Sequence, residues 1–217
     1  MGVLFGGTAL ARSFLPRGRL SEDLDLLAVG PRRDVVADVE RVLARGARRE
    51  YGVLTWSPSL AAVRDVESGV VRTDDGLAVR VQLLDPGGYP PWPTQEFDLD
   101  QRYAGAPSAR LIIPTRSAFV AWKTAAWFDR HAPRDLYDLW MLAESGAFTA
   151  EAVRLFAAHG QTGAGPRPWM FDRSPTEADW RLQLSAQTRL TIGPQPALDL
   201  VRAAWTAAVE EADRDRR

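Results

Sequence analysis

The sequence predicts an α+β fold: a mixed β-sheet core in residues 1–113, then a helical C-terminal half in residues 114–217. Three observations carry this reading. Short apolar runs in the first half are broken by Gly, Pro and Asp-rich turns. The stretch Asp23-Leu24-Asp25-Leu26 alternates polar and apolar, as a half-buried strand does. From Pro114 onward, apolar residues recur at helical spacing behind hydroxyl caps and prolines. With 217 residues, 46% of them hydrophobic, the chain holds ample core for one large domain or for a domain with a helical partner.

In chain order, Met1–Phe5 reads as a short strand, Thr8–Leu15 as a helix stopped by Pro16, and Asp23–Val29 as a second strand. Asp34–Arg45 is a helix with Val35, Val39, Val42 and Leu43 along one side. Strands are expected at Tyr51–Trp56, Ala61–Val66, Gly69–Arg72 and Leu77–Leu84, with Asp74-Asp75-Gly76 turning the last pair. Asp85–Thr94 is a Pro/Gly-rich loop, and Phe97–Arg102 and Arg110–Ile113 are two further short strands. Thr115 caps a helix to about Arg130, and Pro133 opens another that ends near Gly146. Later helices are expected at Thr149–Ala158, Glu177–Gln187 and Pro196–Ala212. The last carries Leu198, Val201, Trp205, Ala208 and Ala212 on one stripe.

Composition excludes several chemistries. The absence of cysteine removes disulfides, thiolate metal sites and a thiol nucleophile. A formal net charge of −1 provides no global attraction for nucleic acid, so such a partner needs local patches. Arg41, Arg45, Arg48 and Arg49 form one. A solvated helix C-terminus explains them more simply than a phosphate grip. Tyr89 and Trp92 offer base stacking, against ordinary loop packing. No secretory signal and no apolar run of membrane-spanning length is visible, so a cytoplasmic location is expected.

The chemistry concentrates in Gly6-Gly7-Thr8 and Asp23-x-Asp25. Glycines let a backbone turn tightly and approach a ligand, leaving N–H groups for phosphate oxygens. Thr8 is expected at a helix start, where the dipole favours anions. Asp23 and Asp25 project from one strand face and repel each other, and a hard divalent cation or a shared proton is the usual reason to keep such a pair. Gly-Gly-Thr alone is most often a turn, and Asp-x-Asp alone is usually solvated. Their combination on adjacent apolar strands is far more specific, and would hold a metal-bound nucleoside triphosphate.

A second constellation lies downstream. Lys123 is the only lysine among 27 basic residues. It shares a helix side with Phe119, Ala126, Trp127 and Arg130, which would pack its stem and aim its head at an anion. A snorkelling surface lysine fits the local pattern equally well. Asp135 and Asp138 follow in Arg134-Asp135-Leu136-Tyr137-Asp138-Leu139, where acids in a first turn and an Arg134–Asp138 pair have an ordinary helical explanation.

Gly-Gly-Thr followed by Asp-x-Asp resembles the nucleotidyltransferase signature of the polymerase β superfamily. The wording Gly6-Gly7-Thr8-Ala9-Leu10 … Arg19-Leu20-Ser21-Glu22-Asp23-Leu24-Asp25-Leu26, with Lys123 and Arg-Asp-Leu-Tyr-Asp-Leu, is similar to the AbiEii/AbiGii toxin family, which includes the MenT toxins. The match is good over residues 3–29 and 111–145 and weak elsewhere. It implies a nucleotidyltransferase-type sheet, a helical half that completes the active site, and a toxin with a cognate antitoxin. It also implies transfer of a nucleotide from a nucleoside triphosphate, with the 3′ end of tRNA as acceptor in MenT-like members. The implied roles are Asp23 and Asp25 as Mg²⁺ ligands, Gly6, Gly7, Thr8 and Ser21 as nucleotide-binding, Lys123 on the triphosphate, and Asp135 as part of the catalytic set, with Asp138 ordering the local network. In the family a helical segment normally precedes the first strand, which implies a mis-set start or a trimmed N-terminus. The superfamily's third carboxylate falls at Gln82, which accepts no proton, so either Asp85 or Asp135 serves as base, or positioning and the metal suffice. Nucleotidylation of a small molecule or a protein side chain, and a non-catalytic nucleotide-binding module, are the rival readings.

Overall fold

The computed structural model describes residues 2–64, 66–101 and 107–216. The chain divides into two compact units. One comprises residues 1–13, 21–91 and 95–113; the other comprises residues 14–20, 92–94 and 114–217.

The first unit is built on a five-stranded mixed sheet. Its strands are β1 (Gly2–Phe5), β2 (Asp23–Ala28), β3 (Thr55–Trp56), β4 (Ser68–Arg72) and β5 (Ala78–Leu84), in the order β1-β2-β5-β4-β3. The pair β2–β5 is parallel and the others are antiparallel. Helix α1 (Gly6–Ala11) follows β1 directly, and α2 (Arg32–Gly46) and α3 (Arg48–Tyr51) follow β2. Leu24 and Leu26 of β2 pack on a core of Ala28, Val35, Val36, Leu60, Val71, Val81 and Leu83. The alternation read from the sequence is thus realised: leucines inward, Asp23 and Asp25 on the other face. A second, two-stranded sheet pairs β6 (Thr94–Asp98) with β7 (Arg110–Pro114). Arg102, the far end of the expected strand from Phe97, lies outside the described residues.

Several expected elements are corrected. The first helix is Gly6–Ala11 rather than Thr8–Leu15. Ser13 Oγ donates back to the Ala9 carbonyl at 2.7 Å, and the Asp100 N–H takes the Arg12 carbonyl at 2.7 Å, so the carbonyls that would continue the helix are satisfied elsewhere. Ala61–Val66 is not a strand in its described part. Leu60–Ala62 forms a 3₁₀ turn capped by the Ser59 hydroxyl, and it plugs fully buried Leu60 into the core against Gly69. Gly52, at φ 71°, breaks the chain after α3 and shortens the next strand to two residues. Val42 is exposed, and Val36 takes its place beside Val35 in the core.

The second unit is helical: α4 (Arg116–Arg130), α5 (Pro133–Glu144), α6 (Ala150–His159), α7 (Glu177–Leu184) and α8 (Pro194–Arg214). Thr115 Oγ1 accepts from the Ala118 N–H at 3.2 Å and caps α4, and Thr149 caps α6 in the same way. Gly146, at φ 68°, closes α5. The expected stripe of α8 is buried throughout. Two buried indoles donate, Trp127 to the Met170 carbonyl at 3.1 Å and Trp205 to Thr124 Oγ1 at 3.2 Å, whereas the buried N–H groups of Trp92 and Trp140 find no acceptor among the described residues. Residues 14–20 belong to this unit. Phe14 meets Phe119 edge-on, and the Leu20 N–H donates to the Gln187 carbonyl at 2.8 Å.

Candidate active site

In the first unit, the parallel register sets Asp23 beside Arg80 and Asp25 beside Gln82. Two carboxylates, a guanidinium and an amide therefore belong to one patch of the sheet. Arg80 Nε donates to Asp23 Oδ1 at 2.9 Å, which relieves part of the repulsion between the two acids. The sequence reading missed Arg80, although its position two residues before Gln82 puts it on the same face. Gln82 does stand in the neighbouring strand opposite Asp25, and its side-chain N–H donates to the Val66 carbonyl at 2.8 Å.

Gly6 sits at the other edge of this patch. Its φ of 71° suits glycine, and a Cβ at this position would overlap the Asp25 carboxylate. Residue 6 is therefore glycine for two independent reasons, and Asp25 is what it makes room for. Gly7 and Thr8 lie half-buried in the first turn of α1. Thr8 Oγ1 donates to the Asp23 main-chain carbonyl at 2.5 Å, tying α1 to the start of β2. Ser21 is half-buried in the link just ahead of β2.

The donors present fit a hard divalent cation. They are carboxylate oxygens only, and Arg80, the partner of Asp23, is well exposed and can swing away at small cost. Among the described residues no group of three or more His, Asp or Glu side chains is assembled for a metal. Two carboxylates with water and substrate phosphates completing the sphere is the usual arrangement for Mg²⁺.

In the second unit, Lys123, Asp135 and Asp138 meet in a buried ion cluster. Lys123 Nζ lies 2.7 Å from Asp138 Oδ2 and 3.3 Å from Asp135 Oδ1. Arg130 grips Asp135 through two bonds, 2.6 Å to Oδ2 and 2.9 Å to Oδ1. Arg19 grips Asp138 in the same way, at 2.9 and 3.0 Å, and also reaches Gln187 Oε1 at 3.0 Å. Asp135 is fully buried, and Asp138, Arg19 and Lys123 nearly so. The expected Arg134–Asp138 pair does not form; Arg134 is exposed, and Asp138 turns to Arg19 and Lys123.

Burial, the largest influence on the Asp135 carboxyl, pushes its pKa up. The Lys123 and Arg130 charges and hydrogen bonds outweigh it, holding the group below its ordinary value. Burial likewise pulls the Arg19 guanidinium down, and Asp138 more than restores it. A carboxylate so held is a poor proton acceptor, and the cluster's chemistry is electrostatic. No local signal reveals Arg19 as a member, because its partner is 119 residues away.

Other candidates resolve differently. Trp92 is buried and stacked on Trp122 at 5.8 Å, with His159 edge-on at 5.2 Å, so it packs the helical unit and offers no face to a base. Asp85 Oδ1 accepts from the Gly87 N–H at 2.9 Å and caps a turn. Arg45, Arg48 and Arg49 are exposed and make no ion pair among the described residues.

Residues 3–215 match a family model described as nucleotidyl transferase AbiEii toxin, type IV toxin–antitoxin system. Among solved structures, MenT4, a nucleotidyltransferase toxin from Mycobacterium tuberculosis H37Rv, superposes with a TM-score of 0.71 at 23% identity, covering 99% of this chain and 78% of that one. A protein from H. pylori provisionally assigned as a nucleotidyltransferase gives 0.52 at 17% identity, covering 98% and 88%. Among curated proteins, none matches the sequence significantly.

Proposed function

The chain belongs to the AbiEii nucleotidyltransferase toxin family of type IV toxin–antitoxin systems, and on that premise we propose that it transfers a nucleoside monophosphate from a nucleoside triphosphate to the 3′ end of tRNA, releasing pyrophosphate. The observation that carries the reading is the Asp23–Asp25 pair on one face of β2, with Gly6 cut back to admit the Asp25 carboxylate.

In this reading Asp23 and Asp25 hold Mg²⁺, which when bound supplies charge neutralisation at the reacting phosphates. Gly6 and Gly7 bring main chain close to the β- and γ-phosphates, with Thr8 and Ser21 beside them. Lys123 adds a positive charge to the triphosphate, and Asp135, too strongly held to take a proton, orders Lys123. With glutamine at position 82, deprotonation of the acceptor hydroxyl is left to positioning and solvent, which suits a reaction governed by geometry and electrostatics. Exposed Arg45, Arg48 and Arg49 permit an RNA acceptor, and the family description implies a cognate antitoxin.

The test is incubation of the full chain with each α-labelled nucleoside triphosphate, Mg²⁺ and total RNA or total protein. Label at the 3′ end of tRNA with stoichiometric pyrophosphate supports the proposal. Label in a protein or small molecule replaces the acceptor, and nucleotide binding without pyrophosphate release makes the chain a binding module. For an RNA acceptor, binding weakens steeply with salt, and replacing Arg45, Arg48 and Arg49 together reduces the slope by about 3 if each contacts a phosphate.

A further inference from the structure

The ion cluster of the helical unit contains two buried carboxylates and three cations, of which Arg19 and Lys123 are buried and Arg130 is exposed. The forks of Arg130 and Arg19 occupy both oxygens of Asp135 and of Asp138 respectively. Each carboxylate is thus matched by its own arginine, and Lys123 is the supernumerary cation. Its ammonium carries three donors, and among the described residues it has two acceptors, Asp135 Oδ1 and Asp138 Oδ2. One N–H and one unit of charge are left over on a side chain only 9% exposed. An uncompensated buried charge is costly unless something of opposite sign completes it.

We infer that Arg19 is a positioning residue: by neutralising Asp138 it keeps the Lys123 ammonium available to an oxyanion of phosphate type. Without Arg19 the cluster is neutral, Asp138 draws Lys123 to itself as sole partner, and the attraction for an anion falls. The alternative is a staple that merely fastens residues 14–20 to the helical unit, a role that the Gln187 side-chain contact and the Leu20 main-chain bond already share. The inference deepens the triphosphate role proposed for Lys123. It rests on that reading only for which anion is natural, because the probe can be inorganic.

The experiment measures binding of inorganic tripolyphosphate to the full-length chain by calorimetry, without divalent metal, with circular dichroism and melting on every variant. A unit charge removed at several ångströms is worth about tenfold or more at an effective dielectric of about 20. Arg19→Met weakens binding by at least that factor, whereas Arg19→Lys stays within about threefold of wild type because the charge returns. Asp138→Asn binds more tightly than wild type. The double variant Arg19→Met/Asp138→Asn, again with one excess positive charge, returns near the wild-type value. A staple predicts the opposite for Asp138→Asn, which would bind more weakly, with no rescue in the double variant. Wild-type binding in Arg19→Met, weaker binding in folded Asp138→Asn, or wild-type binding no tighter than that of Lys123→Met overturns the inference. If Asp138→Asn does not fold, the contrast between Arg19→Met and Arg19→Lys at matched melting temperature decides. Loss of nucleotide transfer with this order intact would sink the proposed function and leave the inference standing.

Discussion

Two acid pairs of the same residue type occupy this chain in opposite circumstances. Asp23 and Asp25, two apart on strand β2, are partly exposed, and Asp23 meets a well-exposed Arg80. Asp135 and Asp138, three apart on helix α5, are buried and held by three cations. The strand pair is partly open to solvent, and the one ion pair seen for Asp23 is exposed and adds little to stability. The helix pair is spent inside the protein, where a broken partner leaves an orphan charge. The same carboxylate is thus solvent-facing in one region, where we propose that it binds a cation, and locked in an ion cluster in the other, and burial makes the difference.

Substitutions should separate the two. The largest expected effect is on activity: Asp23→Ala or Asp25→Ala should lower transfer on the order of 10³-fold or more, the scale for losing a group that stabilises developing charge. Both variants should still fold. Near-normal turnover in either variant would remove the metal assignment. Next is stability, where Asp135→Asn should cost about 3–5 kcal/mol, because Lys123 and Arg19 are left sharing the one buried carboxylate of Asp138 and Arg130 loses its partner. For a chain of this size that lowers the melting temperature on the order of 10 °C. The sign with pH follows from the lowered carboxyl of Asp135. Its contribution is complete above the unfolded value of about 3.9 and is lost as pH falls through the lower folded value. The gap in melting temperature between wild type and Asp135→Asn should therefore narrow only below about pH 4; a gap already closing near pH 6 would contradict the assignment.

A smaller effect is expected at Gly6, where the two requirements can be weighed against each other. Gly6→Ala should cost about 1–2 kcal/mol for a left-handed alanine. Displacing Asp25 by about an ångström should cost on the order of 10²-fold in rate. A variant that loses stability but keeps its rate would mean that Asp25 has room to move. The smallest effect belongs to Arg80→Ala. Freed of its competitor, Asp23 should bind cation slightly better, and the Mg²⁺ concentration for half-maximal activity should fall by about twofold to fivefold. A rise would show that Arg80 orients Asp23 instead.

The sequence by itself determined the sheet-then-helix order, the outward face of Asp23 and Asp25 with Leu24 and Leu26 inward, and the capping of α4 by Thr115. These are properties of neighbours in the chain, set by a strand period of two, helical periodicity and local hydrogen bonds. It also located Gly6, Lys123 and Asp135 as residues to watch. Tertiary packing set what surrounds them. The parallel register of β2 with β5 brought Arg80 to Asp23, the proximity of Asp25 set the demand for glycine at position 6, and a contact across 119 residues made Arg19 the partner of Asp138. It likewise buried Trp92 against Trp122 and His159, and made a 3₁₀ turn of Leu60–Ala62 where the expected strand Ala61–Val66 would begin. Long-range pairing leaves no period in the sequence, because which charge meets which is fixed by packing of the whole unit and not by spacing along the chain.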